Sequence, residues 1–128
     1  MIYVYDITTP ANTPSYNPQK TVLKLAKGVT YKVEFLFPPG PIGLLHVQVF
    51  DALHQVWPSN PGANFSTDDE TISFDDQYEL DEPPYELQVL TWNEDDTYEH
   101  RVTLRIGLNP SPEGVYLSAE ELVQAAMG

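Results

Sequence analysis

The sequence predicts an all-β protein: an antiparallel β-sandwich, of jelly-roll or immunoglobulin-like type, with about 7–8 strands and a short C-terminal helix. Two observations predict the sandwich. Twelve prolines and seven glycines interrupt the chain at short intervals. Between them, short segments alternate apolar and polar side chains with the period of a β-strand.

The alternation is clear in some segments and weaker in others. The clear segments are 29–37, 45–50, 85–90 and 98–106, and the weaker ones are 2–8, 21–27, 53–57 and 71–74. Proline and glycine at 38–41 and 60–62 favour turns, because proline fixes φ and glycine permits positive φ. The polar run 93–96 separates two good strand segments, which predicts that 85–92 and 98–106 form a β-hairpin.

The length of 128 residues fits a single domain with two distinctive ends. The parts are an N-terminal strand with a proline-rich arm over 1–20, the sandwich core over 21–110, and a tail over 111–128. In this tail, Ser118 and Glu121 have the spacing of a capping box, which predicts a short helix over 118–127.

Composition excludes several classes of function. The chain has 19 acidic and 6 basic side chains, a formal net charge of −13. This charge argues against nucleic-acid binding and against docking on anionic membranes, because both depend on lysine and arginine. The chain has no cysteine, which excludes disulfides and thiolate chemistry. No apolar run is long enough to span a bilayer, and the first ten residues carry no basic side chain, so we expect neither membrane insertion nor a signal peptide.

Charge is unevenly distributed along the chain. Residues 1–67 carry three acids and four lysines, whereas residues 68–128 carry sixteen acids and two arginines. The simplest interpretation is a solvated strand face together with acidic loops. The alternative is that the lysines of one copy meet the carboxylates of another, in which case salt would weaken assembly.

The sequence shows no pattern of catalytic residues, and we expect a protein without enzymatic activity and without a cofactor. The serines lack a G-x-S-x-G motif, and the glycines form no phosphate-binding loop. His100 lies on the apolar side of its strand, where a buried structural role is expected. The alternative is a metal site formed by His46, His54 and an aspartate, for which the sequence has no signature spacing.

A carbohydrate- or surface-binding module is the alternative function. Trp57 and Trp92 lie at predicted strand ends, where aromatic rings can serve as platforms for sugars or can instead plug the core. The acidic loops are either solvated or form a weak calcium site. These loops are 68–70, 75–76 and 95–96.

The N-terminal segment is the feature that most suggests a function. Residues 2–5 read Ile-Tyr-Val-Tyr, a strand-prone stretch followed by a proline-rich segment. Such a strand can add to the open sheet edge of a neighbour, or it can pair within its own domain as an edge strand. We therefore predict a partner-binding surface that includes nearby tyrosine and lysine side chains. Its candidate residues are Ile2, Tyr3, Tyr5, Tyr16, Lys20, Lys24, Lys27 and Lys32.

Several stretches of the sequence resemble small proteins of phage and prophage genomes. They are ITTPANTP at 7–14, VEFLFPPGPIGLLHV at 33–47, VWPSNP at 56–61 and LTWNEDDTY at 90–98. The resemblance covers about residues 7–108 and implies a virion β-sandwich: a capsid decoration, an accessory fibre, or a neck or tail component. It further implies a homo-oligomer or a partner of other virion proteins, located in the virion or in the host cytoplasm during assembly.

Overall fold

The computed structural model describes residues 1–111, which form an all-β structure. The strands are β1 (Ile2–Thr9), β2 (Gln19–Lys24), β3 (Gly28–Phe37), β4 (Leu45–Asp51), β5 (His54–Trp57), β6 (Glu70–Phe74), β7 (Glu79–Leu80), β8 (Glu86–Asn93) and β9 (His100–Pro110). Within residues 1–111, no helix is long and apolar enough to cross a membrane. The helix predicted over 118–127 lies outside the described residues.

The strands form two antiparallel sheets that pack as a sandwich. One sheet has the order β1-β9-β3-β6, with the short β7 beside β3, and the other has the order β2-β8-β4-β5. Apart from β7, the strands pair from the outside inward: β1 with β9, β2 with β8, β3 with β6 and β4 with β5. This nested pairing is a long hairpin folded over on itself, the arrangement of a jelly roll. The structure confirms the predicted sandwich, and its topology is that of the jelly roll.

The predicted hairpin of 85–92 with 98–106 is wrong. The two segments form β8 and β9, but β8 pairs with β2 and β4, whereas β9 pairs with β1 and β3. Residues 94–99 cross from one sheet to the other. Strands β8 and β9 each pair on both edges with strands that are distant in sequence. The alternation within a segment predicts a strand but does not predict its partners.

Alternation along the strands builds the core between the two sheets. In β3, Val33, Phe35 and Phe37 are buried, while the intervening Glu34 and Leu36 are partly exposed. The other long strands repeat this pattern, and their buried side chains join in one hydrophobic cluster. Aliphatic and aromatic side chains therefore fill the space between the sheets.

The sandwich has two lateral sides, each flanked by one edge strand from each sheet. Between β5 and β6, an aromatic group seals one side: the ring centroids of Trp57 and Phe74 are 6.1 Å apart, and those of Phe65 and Phe74 are 6.0 Å apart. Between β1 and β2, Tyr3 and Tyr5 stack with centroids 6.3 Å apart. We call the first the closed side and the second the open side.

Candidate interaction surface

Strand β1 lies at the edge of its sheet, and alternate residues direct their backbone groups outward. The Met1 N donates to the Leu108 O at 2.9 Å and the Leu108 N to the Met1 O at 2.8 Å, so these residues form a hydrogen-bonded pair. The register continues along β1 without a shift. Bonded and non-bonded pairs alternate in an antiparallel ladder. The N–H and C=O groups of Ile2, Val4 and Asp6 therefore face away from β9.

The outer face of β1 exposes apolar side chains. Ile2 is 65% exposed and Val4 is 58% exposed. Tyr31 of β3 lies over Gly107, the residue opposite Ile2, so closely that a Cβ at Gly107 would be 2.5 Å from the Tyr31 Cζ. Any larger residue at position 107 would therefore have to displace the Tyr31 ring. We call Ile2, Val4 and Tyr31 the β1 patch.

The other edge strands carry features that normally protect a sheet edge from further pairing. Strand β2 presents Lys20 and Lys24, and β5 has four residues and ends immediately before Pro58. Strand β6 has five residues and begins at Glu70. Strand β1 has eight residues without proline or lysine, pairs without a bulge, and carries Asp6 as its one charged side chain. Of these four described edges, β1 is the one suited to strand addition.

Tyr3 and Tyr5 lie on the inner face of β1 and line the open side. The Tyr5 hydroxyl donates to the Lys24 carbonyl oxygen, which links the edge strands of the two sheets. Burial of the ring, with the Tyr3 hydroxyl as a second cause, raises the pKa of Tyr5 to about 12. Both rings remain partly exposed, so the open side presents an aromatic surface beside the outward-facing backbone.

The predicted lysines are dispersed over both sheets. The Lys24 Nζ lies 2.6 Å from the Glu86 Oε2, and the Lys32 Nζ lies 3.2 Å from the Asp75 Oδ1, so both lysines pair with acids of their own chain. The remaining candidates lie apart: Lys20 on β2, Lys27 in the β2–β3 turn, and Tyr16, almost fully exposed, in the β1–β2 loop. The structure thus gathers Ile2, Tyr3, Tyr5 and Lys24 at the open side.

The two tryptophans of the carbohydrate-binding alternative lie in or beside the core. Trp57 is 2% exposed, and its Nε1 donates to the Asp76 Oδ2 at 2.7 Å. Trp92 is 9% exposed and stacks on His46 with centroids 5.1 Å apart. A sugar platform requires an open ring face, and neither ring presents one in this conformation.

Two histidines contact acidic side chains of the β8–β9 loop at one end of the sandwich. The His100 Nε2 lies 2.7 Å from the Asp95 Oδ2, and the His46 Nε2 lies 3.0 Å from the Glu94 Oε2. His100 is largely buried, as its predicted structural role requires. His54 lies at the turn of the β4–β5 hairpin, at the opposite end of β4 from His46. Within residues 1–111, no group of three or more histidine or acidic side chains is arranged to hold a metal ion.

Sequence reasoning missed two residues of the β1 patch. Val4 could have been identified, because the two-residue period of a strand places it on the same face as Ile2. Tyr31 could not, because its place over Gly107 depends on the β3–β9 register.

The chain matches no family model and no curated protein sequence. Among solved structures it is similar to the Yersinia pseudotuberculosis-derived mitogen, at 9% identity over 87% of this chain and 88% of that chain, with a TM-score of 0.45. A structure of tomato aspermy virus is similar at 13% identity over 87% and 79% of the two chains, with a TM-score of 0.40. A third, FLHE, is similar at 10% identity over 82% and 95%, with a TM-score of 0.37. These likenesses do not bear on function.

Proposed function

We propose that this chain is a non-enzymatic structural protein of a phage particle that acts by packing against its neighbours through β1. The observation that carries the proposal is the β1 edge. It combines outward-facing backbone groups at Ile2, Val4 and Asp6 with an exposed apolar patch. An edge of this length and composition is a template for pairing with another chain.

The packed interior, and not the topology, supports a structural role. Jelly rolls occur in viral capsid proteins, lectins and cupins, so the fold alone does not choose among these functions. A binding function at the predicted tryptophans would need open ring faces, and Trp57 and Trp92 are packed against their neighbours. The resemblance of the loop sequences to phage proteins favours the virion among structural roles.

Light scattering behind a sizing column tests whether the protein assembles through β1. We expect the wild type to form a discrete oligomer and Val4→Lys to shift it toward the monomer, because a lysine on the edge disfavours further pairing. Val22→Lys is the matched control, since Val22 is an exposed valine, 42% accessible, on edge strand β2. Equal masses for the two variants would overturn the role of β1.

The virion assignment has its own test. Particles of the phage or induced prophage that encodes the chain would be purified on a density gradient and analysed by mass spectrometry. We expect the chain in the particle band at a fixed ratio to the major particle protein. Recovery only in the soluble fraction would contradict the assignment, whatever the oligomeric state.

A further inference from the structure

We infer that the neighbour on β1 is a second copy of this chain, paired antiparallel about a two-fold axis that passes beside Val4. This inference rests on the proposed function and specifies the partner and the register. Its starting point is that an antiparallel pair of identical edges is self-complementary: each N–H of one copy meets a C=O of the other.

The backbone selects the register. With Val4 opposite Val4 of the other copy, these residues exchange both hydrogen bonds, and Ile2 exchanges both with Asp6. Every outward group of Ile2, Val4 and Asp6 then has a partner. A shift of the register by one residue would place the outward groups of one copy opposite residues of the other copy whose groups are already bonded to β9. It would also pair outer-face side chains of one copy with inner-face side chains of the other.

Slips of two residues are disfavoured by particular groups. One direction places Tyr5 opposite Met1 of the other copy, so that one tyrosine pair remains where the Val4 register has two. The other places Thr8 opposite Ile2, although the Thr8 carbonyl already accepts a hydrogen bond from the Gln19 Nε2 at 3.0 Å. A further slip in that direction sets Asp6 opposite Asp6, and like charges directly opposite destabilise an antiparallel pair.

Side chains on both faces agree with the Val4 register. On the outer face, Val4 meets Val4, a β-branched pair. On the inner face, Tyr3 of each copy meets Tyr5 of the other, which extends the stacked tyrosines of each open side into a continuous aromatic row.

The assembly that results is closed. The order β1-β9-β3-β6 in each copy becomes one continuous sheet with the two β1 strands at its centre. A two-fold interface uses the same surface on both copies, so pairing consumes the β1 edge and stops at the dimer. Any larger particle contact must therefore use another surface of the dimer.

Cysteine cross-linking tests the register directly, because the chain has no cysteine of its own. Hydrogen-bonded partners in antiparallel strands have Cα atoms about 5.5 Å apart, which lies within the range that a disulfide spans. We expect Val4→Cys to form a covalent dimer under mild oxidation. Val22→Cys, an exposed valine on the other edge, should remain monomeric on a non-reducing gel. A mixture of Ile2→Cys and Asp6→Cys chains should cross-link more than either chain alone.

A proline variant tests the same β1 contact without depending on disulfide geometry. The Val4 N–H faces outward, so Val4→Pro removes an intermolecular donor and keeps the bonds to β9. Val22→Pro is the matched control. The Leu25 N donates a hydrogen bond to the Tyr85 O, so the alternation of the β2–β8 ladder directs the Val22 N–H outward. This proline therefore keeps the bonds to β8 and removes no donor from the β1 contact. We expect at least a tenfold weaker dimer for Val4→Pro and none of this loss for Val22→Pro.

The outcomes separate the inference from the proposed function. Selective cross-linking of Val4→Cys and selective loss of the dimer in Val4→Pro support both. An oligomeric wild type whose Val4→Cys cross-links no more than Val22→Cys overturns the two-fold register and leaves a structural role through β1 or another surface. A wild type that is monomeric at every concentration and absent from phage particles overturns both.

Discussion

The two lateral sides of the sandwich differ in the length of the strands that border them and in the burial of their aromatic rings. On the closed side, short strands β5 and β6 border an aromatic group in which Trp57 is fully buried and bonds to Asp76. On the open side, the long strand β1 borders two half-exposed tyrosines and directs the backbone groups of alternate residues away from β9. Both sides bury aromatic rings, so composition does not distinguish them.

The difference lies in strand length and in the direction of the backbone groups. A four-residue strand that ends at Trp57, immediately before Pro58, offers little for another strand to pair with, whereas the eight-residue β1 offers a continuous ladder. The closed side is therefore completed within the chain. We propose that a partner completes the open side. The predictions that follow test this contrast from the largest expected effect to the smallest.

A substitution on the closed side should lower the free energy of unfolding more than one on the open side. Trp57→Ala removes a buried indole and its hydrogen bond to Asp76, and we expect the free energy of unfolding to fall by about 3–5 kcal/mol. Urea denaturation followed by circular dichroism measures this change. Tyr16→Ala, at an exposed loop ring, is the control and should stay within about 0.5 kcal/mol of the wild type. A Trp57→Ala protein as stable as that control would refute the view that this ring seals the closed side.

Much of the secondary structure was predictable because it depends on local alternation. The prediction of 29–37 lies within β3, and that of 71–74 lies within β6. Strand β7 was missed because two residues are too short to show a period. The pairing of strands was not predictable from alternation, as β8 and β9 show: each selects partners through contacts that only the whole fold defines.

The candidate site was predictable in part for the same reason. The strand-forming tendency of residues 2–5 is local, so Ile2, Tyr3 and Tyr5 were identified from sequence. Whether β1 leaves an edge open depends on what occupies its other side, and that requires the sheet order. The intrachain pairing of Lys24 with Glu86 likewise follows from the β2–β8 register, and not from the charge count.

The outer face beside β1 should be sensitive to a single added methyl group. Gly107→Ala places a Cβ against the Tyr31 ring, which is partly exposed and can move aside, and we expect a loss of about 1 kcal/mol in the free energy of unfolding. Tyr31→Ala in the same chain should relieve the clash, so the double variant should lose less than the sum of the single variants. Additive losses in this double-mutant cycle would show that the ring does not press on Gly107.

The open side should loosen at alkaline pH. Because the pKa of Tyr5 is raised to about 12 from its usual value of 10, the stability it contributes is complete below pH 10 and is lost as pH rises toward 12. Tyr5→Phe removes the hydroxyl bond to the Lys24 carbonyl and should cost about 0.5–1.5 kcal/mol at neutral pH. Denaturation curves between pH 8 and about 12 should show a shallower decline for this variant than for the wild type. An identical decline would assign the alkaline loss to other tyrosines, among them Tyr78 on the closed side, whose pKa burial also raises.

The smallest effects should come from charge, and their sign decides how the open side is used. The Lys24–Glu86 pair is largely solvent-exposed at the lysine, so Lys24→Met should change the free energy of unfolding by at most about 1 kcal/mol. Two copies that pair through β1 each carry a formal charge of −13, and added salt screens their repulsion over about 8–10 Å. If the edge forms the contact, dimer affinity measured by light scattering should rise between low and moderate salt, and Lys24→Met should leave that trend intact. If lysines of one copy instead meet carboxylates of the other, as the charge distribution allows, salt should weaken the dimer and Lys24→Met should weaken it at low salt. The direction of the salt effect thus separates a contact made by backbone and apolar side chains from one made by ion pairs.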